Sequence, residues 1–203
     1  QHYLYPSVKA DIFAALHKES DGERKFELEE GYVTFFNIFE IALPNYDSPL
    51  ALGAIIGKKL LGIGKINPLH PEQRQFIHRP IAVQKFLGGE EAFSAEGGHL
   101  SYLLPLPFFS QVELGAWTVA THAHEESSEE SEHNIEYSNR LLSSRLWNSL
   151  ALSQTQELEF GVNYLLGNAT TRSDNDKQNL LGLDLTLTQE LSLEQSLTLQ
   201  TEF

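Results

Sequence analysis

The sequence predicts an all-β protein, an antiparallel up-and-down transmembrane β-barrel that forms a single domain over residues 1–203. Three observations predict this fold. Apolar and polar residues alternate at period two along most of the chain. The connections between these segments alternate between short and long. The polar positions carry small or charged side chains, which suit a wet lumen.

Composition excludes several classes of protein. The chain has 28 Asp and Glu against 14 Lys and Arg, a formal net charge of −14, which argues against a nucleic-acid partner. It has no Cys, so a disulfide framework, a cysteine zinc site and a thiol nucleophile are excluded. A hydrophobic content of 41% is too high for a disordered acidic chain. No apolar run of about 18 residues is present, so we expect no membrane-spanning helix.

The alternation indicates about nine strands. Residues 181–188 show it best, because four leucines alternate there with Gly182, Asp184, Thr186 and Thr188. Residues 50–65 are less regular, and their glycines indicate bulges or close packing. The predicted strands, in order, are 8–17, 26–36, 50–65, 93–104, 110–120, 144–153, 157–166, 180–188 and 196–203.

The connections separate into two sets. The short ones lie at about residues 105–107, 154–156 and 190–194, with 37–49 in phase with them. The long or strongly polar ones are 18–25, 66–92, 121–142 and 167–179. This pattern is typical of an outer-membrane barrel with tight periplasmic turns and long external loops. An odd strand number is unusual there, and Phe203 ends within a strand pattern. We therefore expect a fragment of a longer barrel that continues beyond Phe203; the alternative is that the strand count is off by one.

The polar positions of the strands are the predicted lumen. They include Lys9, Asp11, Glu157, Glu159 and Asp184. Aromatic residues near strand ends are predicted to form interfacial girdles. These are Tyr3, Tyr5, Phe35, Phe36, Tyr102, Phe108, Phe109, Trp117, Trp147, Tyr164 and Phe203. The alternative is a soluble β-sandwich in which a second sheet covers the apolar face, a binding module for a metal-dependent or carbohydrate ligand.

A loop rich in imidazole and carboxylate groups is the sharpest local feature. The candidate metal ligands are His122, His124, Glu125, Glu126, Glu129 and His133. These groups suit zinc or another divalent cation, bound weakly because a flexible loop is costly to order. The alternative is a solvated acidic loop whose histidines are incidental. No cofactor is required on either interpretation.

The long connection 66–92 is the second candidate site. It carries His70, Arg74, His78, Arg79 and Lys85 among three prolines. One interpretation is a pore constriction that presents a basic patch to an acidic wall. The other is a proline-braced cap whose arginines pair with lumen carboxylates.

Catalysis has little support, and the chain is not expected to be an enzyme. No Ser–His constellation with an oxyanion donor stands out. Adjacent carboxylates such as Glu29 and Glu30 are expected on opposite faces of a strand, so they should not converge.

Several motifs occur in order along the chain. They are LGIGKINPLHP at residues 61–71, HRP at 78–80, FLGGEE at 86–91 and GHLSYLLP at 98–105. Together they resemble a family of largely uncharacterised bacterial outer-membrane porin-like proteins. The chain departs from that pattern at Lys65, Glu72 and His78. The resemblance implies a barrel in the bacterial outer membrane, with a link to metal uptake in some members.

The expected function is therefore a porin-like channel for small solutes or ions, whose acidic, His-bearing external loops concentrate divalent metal such as zinc. The expected partners are outer-membrane lipid, small solutes or metal ions, and other copies of the chain in a homo-oligomer, with no nucleic acid.

Overall fold

The computed structural model describes residues 2–18, 24–42, 51–70, 73, 93–119, 137–169, 177–192 and 194–203. These residues form one antiparallel sheet of ten strands in the order of the chain. The predicted all-β, up-and-down architecture is confirmed. The ends of the sheet, its first and last strands, are not hydrogen-bonded to each other, so the sheet is open rather than a closed barrel.

The strands are β1 His2–Tyr5, β2 Val8–Lys18, β3 Arg24–Phe35, β4 Leu52–Leu60, β5 Ser94–Leu103, β6 Phe109–Val119, β7 Tyr137–Ala151, β8 Gln156–Ala169, β9 Lys177–Ser192 and β10 Gln195–Glu202. A short helix, α1, covers Ile38–Ala42. The predicted count of about nine was one too low, as the alternative allowed, because β1 was missed. Its core, Tyr3-Leu4-Tyr5, is apolar on both faces and gives no alternation.

Several boundaries differ from the prediction, and two of them by five residues or more. The segment predicted over 50–65 leaves the sheet after Leu60. β7 begins at Tyr137 rather than at 144, since it continues along β6 as far as the pair Val119 and Asn139.

The two sets of connections lie at opposite ends of the strands, since every neighbouring pair is antiparallel. At one end, the short rim, the strands are joined by connections 6–7, 36–51, 104–108, 152–155 and 193–194. At the other end, the long rim, connections 19–23, 61–93, 120–136 and 170–176 leave and re-enter the sheet. Apart from 36–51, the short-rim connections are tight, as predicted.

The sheet is strongly curled. Within a few residues of one segment, His70 Nε2 lies 2.8 Å from Glu30 of β3, and the Ile66 N–H donates to Glu202 of β10 at 2.9 Å. β3 and β10 are seven places apart in the sheet, so they would be about 34 Å apart if the sheet were flat. The chain from Ile66 to His70 spans at most about 14 Å, so the sheet must curl to bring both strands within its reach. The face that curls around this segment is the concave face, and the opposite one is the convex face.

The two faces are inverted relative to a water-soluble protein. Large apolar side chains on the convex face are exposed, with Ile12 at 70%, Leu114 at 60% and Leu199 at 65%. Polar side chains on the concave face are buried: Asp11, Glu30, Asn163, Asp184 and Thr186. No second sheet covers the leucines in the described ranges. No described helix is long and apolar enough to cross a membrane.

Candidate functional site

Residues 61–70, called here the inward segment, cross the concave face directly after β4. Asn67, which is fully buried, holds the segment to the adjoining ends of β4 and β5. The Asn67 side-chain amide donates to the backbone carbonyls of Leu61 at 2.8 Å and Phe93 at 3.1 Å, and its oxygen accepts from the Phe93 N–H at 3.0 Å. These bonds join the two ends of the long connection between β4 and β5.

The inward segment reaches strands on the far side of the sheet. Lys65 Nζ pairs with the Glu159 carboxylate of β8. Glu202 of β10 accepts hydrogen bonds from the backbone N–H groups of Lys65 and Ile66. Arg145 of β7 donates to the Gly62 carbonyl at 3.3 Å. Charged side chains thus form hydrogen bonds with backbone groups of the inward segment, which lie outside the hydrogen-bonding pattern of the sheet.

Gly64 has the backbone conformation that this crossing requires. Its φ is +60°, in the left-handed region that side-chain-bearing residues rarely adopt. A Cβ added there would lie 2.8 Å from Glu202 Oε1. The left-handed backbone therefore favours glycine at residue 64, and a larger residue would also displace the carboxylate.

A small apolar cluster lies where the inward segment begins. Its buried members are Leu61, Ile63, Ala95, Trp117, Leu141 and Leu165. The strand residues all lie toward the long rim, since they come early in β5 and β7 and late in β6 and β8. The Trp117 indole N–H donates to Ser143 Oγ at 2.8 Å. Trp117 is therefore a core residue of the concave face, not part of the predicted interfacial girdle.

His70, at the end of the inward segment, lies between two carboxylates. Its Nδ1 is 3.5 Å from Glu29 Oε2, and its Nε2 is 2.8 Å from Glu30 Oε1. Its ring packs against Phe13 with the ring centroids 4.7 Å apart. The expectation that Glu29 and Glu30 diverge is wrong. The pairing register of β2 and β3 shifts after Phe13, and the β-bulge at this shift lets both carboxylates reach one imidazole.

A second cluster of charged and polar side chains lies between the inward segment and β9. Arg145 Nη2 is 3.6 Å from Asp184 Oδ2, and the Asn163 amide donates to the same oxygen at 2.9 Å. On β2, Lys9 pairs with Asp11 at 3.1 Å. The concave face is thus a set of ion pairs and charge-assisted hydrogen bonds.

A cavity of about 450 Å³ lies between the inward segment and the short rim. Strands β3 to β7 form its walls, and Gly62 and Pro68 of the inward segment border it. Its charged lining groups are Lys59, Glu113 and Arg145, with His99 beside them. Trp147, which was also predicted for a girdle, faces this cavity instead.

The sequence-predicted residues are placed as follows. Lys9, Asp11, Glu159 and Asp184 lie on the concave face, while Glu157 is exposed near the short rim, where it accepts from Ser149 Oγ. His70 is on the inward segment. Arg74, His78, Arg79 and Lys85 lie outside the described residues, as do all six candidate metal ligands: His122, His124, Glu125, Glu126, Glu129 and His133. In the described part of the chain, no group of three or more His, Asp or Glu side chains is arranged to hold a metal ion.

Several residues of the site were not predicted. Lys59, Glu113 and Arg145 are the charged lining of the cavity, and Asn67 is the main fastening of the inward segment. If the period-two pattern is continued without a break at Trp147, Arg145 falls on the polar face. This was the one sequence signal that could have identified Arg145 as a site residue. Asn67 carried no signal beyond its place in a motif.

No protein family, curated protein or solved structure matches this chain. The resemblance to the porin-like family therefore stays a prediction from the quoted motifs.

Proposed function

We propose that the chain is a porin-like channel of the bacterial outer membrane, a transmembrane β-barrel that conducts small solutes or ions and is narrowed by the inward segment. One observation carries the proposal: the convex face is apolar and exposed while the concave face is polar and buried. In water, a continuous apolar surface of this extent is unfavourable. Against hydrocarbon the same side chains are stabilising, and a buried polar interior suits a lumen.

Strand geometry supports the same proposal. The shortest of the strands β2 to β9 has nine residues, which is enough for a tilted crossing of about 9–11 residues. β9 has 16 residues, so it would extend beyond the hydrocarbon. Closure of the open sheet is part of the proposal, because exposed sheet edges are not tolerated in lipid.

The inward segment supports a narrowed rather than a wide pore. Its contacts run from Glu30 on β3 to Glu202 on β10, so it crosses the space that the sheet encloses. The connection between β6 and β7 joins at the long rim, where the proposed external mouth lies. Its histidines and glutamates would concentrate zinc or another divalent cation there by electrostatic attraction.

Planar-bilayer recording tests the proposal. The purified chain, refolded in detergent and added to a bilayer, is expected to produce discrete conductance steps. A matched sample of Leu114→Lys, which places a charge on the convex face, is expected to insert much less often. A chain that is monodisperse in plain buffer and gives no conductance would contradict the proposal and favour the soluble alternative.

The proposed binding of zinc by the loop between β6 and β7 has its own test. Zinc titration by calorimetry is expected to give weak binding that the triple substitution His122→Ala, His124→Ala and His133→Ala removes. Equal heats in the triple variant would reject a role for this loop while leaving the channel proposal intact.

A further inference from the structure

The cavity beside the inward segment has an unusual balance of hydrogen-bonding groups. It has the size of a small-molecule site, since its 450 Å³ lies within the roughly 300–1,000 Å³ typical of such sites. The apolar cluster closes it toward the long rim, and it extends to Phe36 and Phe109 at the short rim.

Two buried N–H donors on its β7 wall have no partner in the described residues. They are Nε of Arg145 and Nε1 of Trp147. The two residues are two apart on one face of the strand, and the guanidinium carbon lies 5.5 Å from the indole centroid. The other guanidinium nitrogens are engaged, Nη1 with the Gly62 carbonyl and Nη2 with Asp184. Buried donors without acceptors are destabilising, and they are rare except where a ligand or water fills the gap.

A third donor lines the cavity. Lys59 has no carboxylate within ion-pair distance in the described ranges, and its ammonium lies 4.9 Å from the Tyr32 ring. Among the described residues, one carboxylate lines the cavity: Glu113, which accepts a hydrogen bond from Gln111 at 2.9 Å. Glu113 and Arg145 are register partners on β6 and β7, yet they form no ion pair. Among the described residues, Arg145 Nε and Trp147 Nε1 therefore lack an acceptor and Lys59 lacks a carboxylate partner.

The wall toward the short rim is largely apolar and aromatic, while Thr34, His99, Ser101 and Gln111 add polar groups elsewhere in the lining. Phe109 packs edge-on against Trp147 with ring centroids 4.9 Å apart, and Phe36 and Leu103 continue this surface toward the short rim. A ligand that fits must therefore carry one negative group for the donors and an apolar body for the rings.

We infer that this cavity binds a small organic anion, a carboxylate on an apolar ring or chain. Its carboxylate is the acceptor that Arg145 Nε and Trp147 Nε1 lack, and a small shift of these two buried side chains brings their N–H groups to the cavity surface. Lys59 supplies the second positive charge. Glu113 opposes a second negative group on the ligand, which favours monoanions over dianions. This inference rests on the proposed function, because it names a class of solute that the channel would hold on its path.

Isothermal titration calorimetry of the full chain in detergent tests the inference. The probe is cyclohexanecarboxylate, and the matched probe is cyclohexanecarboxamide, which has nearly the same shape and no charge. We expect the carboxylate to bind at least tenfold more tightly than the amide. This comparison uses the unaltered protein, so it does not depend on the folding of a variant.

Two variants locate the site. Lys59→Gln and Trp147→Phe are each expected to weaken binding of the carboxylate at least fivefold. Lys9→Gln is the control, because Lys9 is a concave-face lysine that pairs with Asp11 and does not line the cavity. It should change the affinity less than twofold. Arg145 is left unaltered because it also holds the inward segment.

Equal affinity for the two probes, or unchanged affinity in both variants, would overturn the inference. Conductance of the same protein without either probe is recorded in parallel. Conductance without selective binding would reject the anion site alone. Selective binding without conductance would reject the channel and leave the anion site standing.

Discussion

The Ile66 backbone N–H donates to the Glu202 carboxylate across 2.9 Å, which joins the inward segment to β10 over a separation of 136 residues. The same carboxylate accepts from the Lys65 N–H. These two bonds hold the middle of the inward segment against the last strand of the sheet.

Glu202→Ala is expected to release the far end of the inward segment. Hydrogen bonds to a charged group contribute about 1.5–3 kcal/mol each, so the variant should unfold more readily in detergent and give larger, noisier conductance steps. Gln200→Ala is the control, since Gln200 is on the same strand and face but exposed. Conductance that is the same in both variants would show that the segment does not narrow the path.

Gly64→Ala is expected to displace the segment without removing any hydrogen-bonding group. The left-handed backbone and the clash with Glu202 should cost about 1–3 kcal/mol in the free energy of unfolding. Gly182→Ala is matched to it, because an added Cβ there makes only ordinary contact, with its nearest atom at 3.6 Å. Chemical denaturation in detergent compares the two, and equal stability would contradict this role of Gly64.

Two adjacent leucines of β7 lie on opposite faces of the sheet. Leu141 is 0% exposed in the apolar cluster, whereas Leu142 is 53% exposed on the convex face. Leu141→Ala should lower the free energy of unfolding by about 2–5 kcal/mol because it leaves a cavity. Leu142→Ala should lower it by less than about 1 kcal/mol, since this side chain already has more than half of its surface exposed among the described residues. The reverse order would mean that the convex face is the packed one.

The two carboxylates around His70 are expected to contribute unequally. Glu30 is buried and also accepts from the Leu60 N–H at 3.4 Å, whereas the Glu29 side chain is 36% exposed. Glu30→Ala should cost about 1–3 kcal/mol because it leaves buried donors unpaired. Glu29→Ala should cost about 0–1 kcal/mol, as exposed pairs do. Denaturation of the two variants side by side gives the comparison.

Much of the sheet was predictable because its signal is local. Period-two alternation identified nine of the ten strands, and Leu181 to Thr188 lie on the faces that the pattern assigns to them. The alternating connections also gave the correct arrangement of the two rims. β1 was missed since a run of three apolar residues has no preferred face.

The site was less predictable because its contacts are long-range. The glycines at 62 and 64 indicated irregular backbone, but nothing local indicated that Lys65 and Ile66 meet Glu202. The β-bulge next to Glu29 reversed the expected directions of two carboxylates, since a single extra residue shifts the register of a strand. The charged lining of the cavity comes from three strands, and only their alignment brings Lys59, Glu113 and Arg145 together.

The most direct test of the account asks what covers the convex face. The chain has no cysteine, so single cysteines carrying a spin label can be placed cleanly along β6. Val112, Leu114 and Ala116 are the convex sites, and Gln111 and Glu113 are the concave ones. In lipid vesicles we expect labels at the convex sites to collide mainly with oxygen, which partitions into lipid, and labels at the concave sites to collide mainly with a water-soluble nickel chelate. Equal access of the nickel chelate to both sets of sites would contradict the account.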